Sequence, residues 1–274
     1  MRDNRLGTRR HEDCDLQRML GSALAEEAEA DQLTAAPSTI AAELAVIMDP
    51  QAQQQVHQPL SPPDSDLETE RPVPPDVMGQ NCSIFIVDIA GFSSPTRTDA
   101  DRDCIRTVMY DLMDQAFTAA GLDLVRLYQE DRGDGALVIV PPTTPTTQVV
   151  GPMLAHLAAG LRRHNRRADD ATRLQLRVAL DVGPVHHDPQ DGVHGFAIIR
   201  TARMLNARVV KQRVAETGAD LAFITSDFVY DSVITPAPGL VDPSRYSRVQ
   251  VQVKETSLSA WLALEGGVSR LSTL

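Results

Sequence analysis

Two aspartates stand where their carboxylates could do chemistry. Asp88 closes the run "SIFIVDIA", where an acid after four apolar residues is costly unless it is paired, hydrogen-bonded or metal-bound. Asp134 lies in "EDRGDGALVIV", Glu130 to Val140, a stretch that reads as the tip of a β-hairpin. Turn chemistry explains such a tip without function, because glycine takes positive φ and aspartate hydrogen-bonds its own backbone. Taken singly, each aspartate reads as structural. Taken together on neighbouring strand ends, they suit Mg²⁺, which keeps several waters, uses one or two carboxylates and binds substrate phosphates. Glycines at 91 and 133 allow backbone to come close to a ligand there.

The pairing requires a particular order of elements. "SIFIVDIA" is apolar on both faces, as a central strand must be. Residues 100–119 place Ile105, Val108, Met109, Leu112, Met113, Ala116 and Phe117 on one helical stripe. A hairpin follows, with "LVRLYQE" and "ALVIV" as its strands, and then a helix over about 146–165. "RLQLRVALDVG" alternates, with Leu174, Leu176, Val178 and Leu180 opposite Arg173, Gln175 and Arg177, and reads as a half-buried strand. The order β-α-β-β-α-β predicts an α+β, ferredoxin-like or palm core with an antiparallel sheet and helices on one face. A helix near 196–213, a strand at "LAFIT" and late strands "YSRVQVQVK" and "SAWLAL" extend it. In this topology the first strand lies beside the hairpin, so Asp88 and Asp134 converge.

Composition narrows the class. The 274 residues hold 42% hydrophobic and 23% charged side chains, a normal globular mixture, with aromatics at only 4% and hence an aliphatic core. A net charge of −11 argues against a nucleic-acid or anionic-membrane binder, and no run reaches the roughly 20 apolar residues of a membrane helix. Cys14, Cys82 and Cys104 share no metal-type spacing and read as reduced thiols of a cytoplasmic protein, the last two as packing residues. The adjacent pair His186 and His187 points to opposite faces of a strand, which disfavours a shared zinc. The domain reading is an N-terminal arm over 1–58 with short helices, a Pro-rich acidic linker over 59–80, an α+β domain over 81–266 and a tail over 267–274. The arm either docks on a protein partner or is a disordered tail.

Five segments, "FIVDIAGF", "EDRGDGALVIV", "LRVALDVGPVHH", "GFAIIRTARML" and "VQVKETSLSAWL", occur in an order that resembles the class III nucleotidyl cyclase homology domain, the adenylyl and guanylyl cyclase catalytic family. The likeness spans about residues 83–264 and suggests a divergent bacterial-type member. It implies that Asp88, Asp134 and the Ile89 carbonyl hold two Mg²⁺ or Mn²⁺ ions. It also implies that Lys254 holds the terminal phosphates and that Arg203 neutralises charge on the α-phosphate. The implied reaction converts a nucleoside triphosphate to a 3′,5′-cyclic nucleotide and pyrophosphate at a homodimer interface, with the arginine supplied by the second subunit. Glu130 stands where the family reads the base and implies guanine over adenine; a solvent-facing glutamate beside Arg132 is the other reading. The second base-reading position falls near Asp191 or Gly192.

Two departures oppose full activity. Ile199 replaces the asparagine that positions the ribose, and Glu255 replaces the glycine after the lysine. The rival expectation is therefore a weak or inactive cyclase-homology module that senses nucleotide or dimerises in signalling. A diguanylate-cyclase-like palm ranks below both, since that family lacks the late strand pair.

Overall fold

The computed structural model describes residues 79–188, 192–237 and 239–267. The expected N-terminal arm, almost all of the linker, Cys14, Asp191 and the tail beyond 267 lie outside the described residues.

The elements, in chain order, are β1 (Gln80–Ile89), α1 (Asp99–Ala119), β2 (Tyr128–Asp131), β3 (Gly135–Val140), α2 (Leu154–Asn165), β4 (Leu176–Asp188), β5 (Gly192–His194), α3 (Phe196–Leu205), α4 (Arg208–Thr217), β6 (Leu221–Ser226), β7 (Ser247–Val253) and β8 (Thr256–Glu265). The sheet runs β2-β3-β1-β4-β6-β8-β7, with β5 paired to β4. Only β4 and β6 pair in parallel; the remaining neighbours are antiparallel. The expected α+β palm core with extra C-terminal strands is present.

Alternation along β1 divides two cores. Phe85, Val87 and Ile89 face α1 and α2, while Ile84 and Ile86 face α3 and α4. The stripe expected on α1 is buried throughout. A reciprocal cap starts this helix: the Thr98 hydroxyl accepts from the Asp101 N–H, and the Asp101 carboxylate accepts from the Thr98 N–H. The helices of the βαββαβ core occupy one face as expected, but α3 and α4 cover the other.

That second layer corrects the reading of β4. The strand is not half-buried: Leu176 through Asp181 are all buried, because both faces are covered. Other boundaries shift for local reasons. "LVRLYQE" is a strand only from Tyr128, since Asp123 caps a 3₁₀ turn over Leu124–Arg126. The expected helix over 146–165 widens into a π turn at Val149–Met153, where Pro152 supplies no N–H. The helix near 196–213 breaks in two: the Asn206 amide bonds back to the Ala202 carbonyl, and Ala207 turns extended.

Candidate functional site

The hairpin tip is built from side chains that hold it from outside. Asp131, not Asp134, makes the turn: its carboxylate accepts from the Gly133 N–H at 2.8 Å. From α1, Arg106 pairs with Asp131 and donates to the Gly133 carbonyl at 3.0 Å, while the Tyr110 hydroxyl donates to the Gly135 carbonyl at 3.3 Å. Gly133 takes φ +82, the left-handed region open to glycine. Asp134 is left exposed at the tip, and no described residue donates a hydrogen bond to its carboxylate. The turn presents Asp134 rather than using it.

Asp88 reaches the same place from β1. It lies opposite Gly135 in the β1–β3 register, and the Ile89 N–H donates to the Asp134 carbonyl at 2.8 Å. Gly135 permits the approach, because a Cβ there would stand 2.1 Å from the Val87 carbonyl oxygen. The expected convergence of strand one with the hairpin is thus present. Asp88, Ile89 and Asp134 all line one cleft of about 430 Å³. Among the described residues no third His, Cys, Asp or Glu joins the carboxylates in a metal-binding group.

Asp88 has a partner that the sequence reading placed on the polar face and did not assign to the site. Arg177 lies directly across from it in the β1–β4 register. The guanidinium grips both carboxylate oxygens, each at 2.7 Å, with the two side chains only 11% and 10% exposed. Burial holds the Asp88 carboxyl above the usual carboxylate range, against the pull of Arg177; Asp134 adds to the rise and Lys211 opposes it. The signal lay in the alternation of Arg173, Gln175 and Arg177, but a polar face reads as solvated until a second helical layer is known. Lys211, on α4, also lines the cleft and was not anticipated.

Glu130 is held in place at the base of the hairpin. It accepts from the Tyr128 hydroxyl and the Arg132 guanidinium, each at 2.5 Å, and lies 3.5 Å from the Val193 N–H. Burial and this bond push the Tyr128 hydroxyl up to about 12. Gly192 abuts the same group, for a Cβ on it would stand 3.1 Å from the Glu130 carboxylate.

Arg203 and Lys254 do not line the cleft of the aspartates. Arg203 is tied to Glu255 and the Thr256 hydroxyl at the β7–β8 turn. Lys254 belongs to that turn, in the left-handed region at φ +51, rather than to the strand expected to carry it. Ile199 is 48% exposed, and its neighbour Arg200 is bound to the fully buried Asp181 at 2.5 Å. His186 stacks on His194 while His187 meets Tyr128, so the histidine pair is divided between faces.

The fold is that of adenylyl and guanylyl cyclase catalytic domains. The adenylate/guanylate cyclase/hydrolase of Silicibacter pomeroyi superposes with a TM-score of 0.51 at 19% identity, over 68% of this chain and 98% of that one. The guanylyl cyclase Cya2 gives 0.47 at 18% identity, over 72% and 98%. The guanylate cyclase domain of RhGC from Catenaria anguillulae, solved with GTP, gives 0.45 at 14%, over 69% and 97%. No protein-family model matches the sequence, and no curated protein sequence matches it.

Proposed function

We propose that the domain cyclises a nucleoside triphosphate, with a lean to GTP, at the interface of a homodimer. The convergence of Asp88 and Asp134 at one cleft, on this fold, carries the reading. The donor set fits Mg²⁺ or Mn²⁺: hard carboxylate oxygens, few in number, facing a cleft large enough for substrate phosphates. Asp88, Asp134 and the Ile89 carbonyl would hold two ions, which supply a lower pKa for the ribose 3′-hydroxyl and charge neutralisation on the phosphates. Because both Asp88 oxygens are engaged by Arg177, they offer only their remaining lone pairs.

In the reaction the 3′-oxygen attacks the α-phosphate in line and pyrophosphate leaves. Arg203 offsets the charge that grows on the α-phosphate, and Lys254 meets the terminal phosphates. One chain does not bring these two cations to its own aspartates, which supports their supply by a second copy. The exposed apolar side chains Phe196 (68%), Ile199 (48%) and Phe228 (56%) give that copy a surface to cover. Glu130 keeps lone pairs for the N1–H and N2–H₂ of guanine, which adenine lacks.

The rival, a weak or inactive nucleotide-sensing module, rests on Ile199, which cannot hydrogen-bond a ribose oxygen. One assay separates them. The purified chain is incubated with ATP, GTP, CTP or UTP, with Mg²⁺ and then Mn²⁺, and products are identified by mass spectrometry. A cyclic nucleotide that vanishes in both Asp88→Ala and Asp134→Ala supports the enzyme. A folded dimer that makes none under any condition leaves the module.

A further inference from the structure

The cleft holds more cationic groups than its carboxylates require. Asp88 and Asp134 face Arg132, Arg177 and Lys211. Arg177 is spent on Asp88, and Arg132 on Glu130. Lys211 forms no salt bridge with any described residue, and its charge reaches Asp88 through space. It lies on the first turns of α4, a helix that opens on Ala207 without a side-chain cap. Asn206, the residue before that start, also lines the cleft, so the positive end of the helix dipole lies near the same rim.

We propose that Lys211 binds the outer phosphates of the substrate from within the chain that carries Asp88 and Asp134. This rests on the triphosphate reading above and deepens it. Lys254 stands outside the cleft, so this chain brings one phosphate-binding lysine to its own aspartates and, through a second copy, a different one. Lys211 suits the task because it is exposed and its ammonium presents three donors that no carboxylate of the described residues occupies. Arg177 could take it up only by releasing Asp88.

The test titrates inorganic tripolyphosphate with Mg²⁺ into the full chain by calorimetry at fixed ionic strength. Variants are Lys211→Gln, Lys211→Arg and the surface control Arg126→Gln. Lys211→Gln weakens binding roughly tenfold, the size of one charge-assisted hydrogen bond, and Lys211→Arg restores it to within about threefold. Arg126→Gln leaves it unchanged, which separates a local contact from a change in net charge. Binding by the parent chain that Lys211→Gln does not alter overturns the role of Lys211 and leaves the triphosphate reading standing. No binding by the parent chain overturns both.

Discussion

Replacing Arg177 by methionine isolates the clamp on Asp88. The substitution keeps the bulk of the side chain and strands a carboxylate that is buried beside the core strands. Loss of one partner of a buried ion pair costs about 3–5 kcal/mol, against at most about 1 for an exposed pair. With a urea dependence of about 2 kcal/mol per molar, the unfolding midpoint should fall by about 2 M. Trp261, the only tryptophan, reports on this domain: its N–H donates to Asp227 at 2.8 Å and its ring stacks on Tyr230 at 3.6 Å. Arg126→Ala, whose pair with Asp123 leaves the arginine 84% exposed, should change stability by less than about 0.5 kcal/mol. Adding Asp88→Asn to Arg177→Met removes the stranded charge and should recover more than half of the loss. The pH dependence has a defined sign. A carboxyl whose folded pKa is raised contributes stability below its ordinary value of 3.8 that is lost as pH rises through the folded value. Without Arg177 the rise is larger, so the cost of Arg177→Met should shrink on acidification towards pH 4. A cost below about 1 kcal/mol at pH 7, or a double variant no more stable than the single one, refutes the clamp.

Three further outcomes follow from the hairpin and the core strand beside it. Gly135→Ala should destabilise the domain by about 1–3 kcal/mol in the Trp261 assay, because its Cβ meets the Val87 carbonyl oxygen and the Asp88 Cα at 2.1 and 2.9 Å; a change under about 0.5 kcal/mol contradicts the close approach. Cys82 is fully buried and burial pushes its thiol up to about 11, so roughly one molecule in a thousand holds thiolate at pH 8. Peptide mapping after alkylation should find it unmodified in the folded protein and modified in urea, and prompt native labelling would contradict the packing. Glu130→Lys should lower GTP affinity relative to ATP by about tenfold in competition binding; an unchanged ratio removes Glu130 from base recognition.

The place of the first strand beside the hairpin, and with it the approach of Asp88 to Asp134, was legible because its parts are local patterns: an apolar run ended by acid, and a hairpin tip of glycine and aspartate. Arg177 was not, for a physical reason. Alternation along "RLQLRVALDVG" correctly separates its two faces, but it does not say what covers each face. A second apolar stripe was available in Ile198, Ala202 and Leu205 of α3, all at this cleft, and in Val210 and Val214 of α4. On one unbroken helix these residues do not share a face at 3.6 residues per turn; Asn206 and Ala207 redirect the chain between the two groups. Once the break is known, α3 packs on the polar face of β4 while α4 packs on β6 and β7, Arg177 is buried, and a buried guanidinium requires a carboxylate within reach. Asp88 is the residue opposite it. The same break sets Lys211 at the cleft on a second helix, while Arg203, one helix earlier, stays bound to the β7–β8 turn. A connection of two residues therefore separates a cation that lines the cleft of the aspartates, Lys211, from one that does not, Arg203.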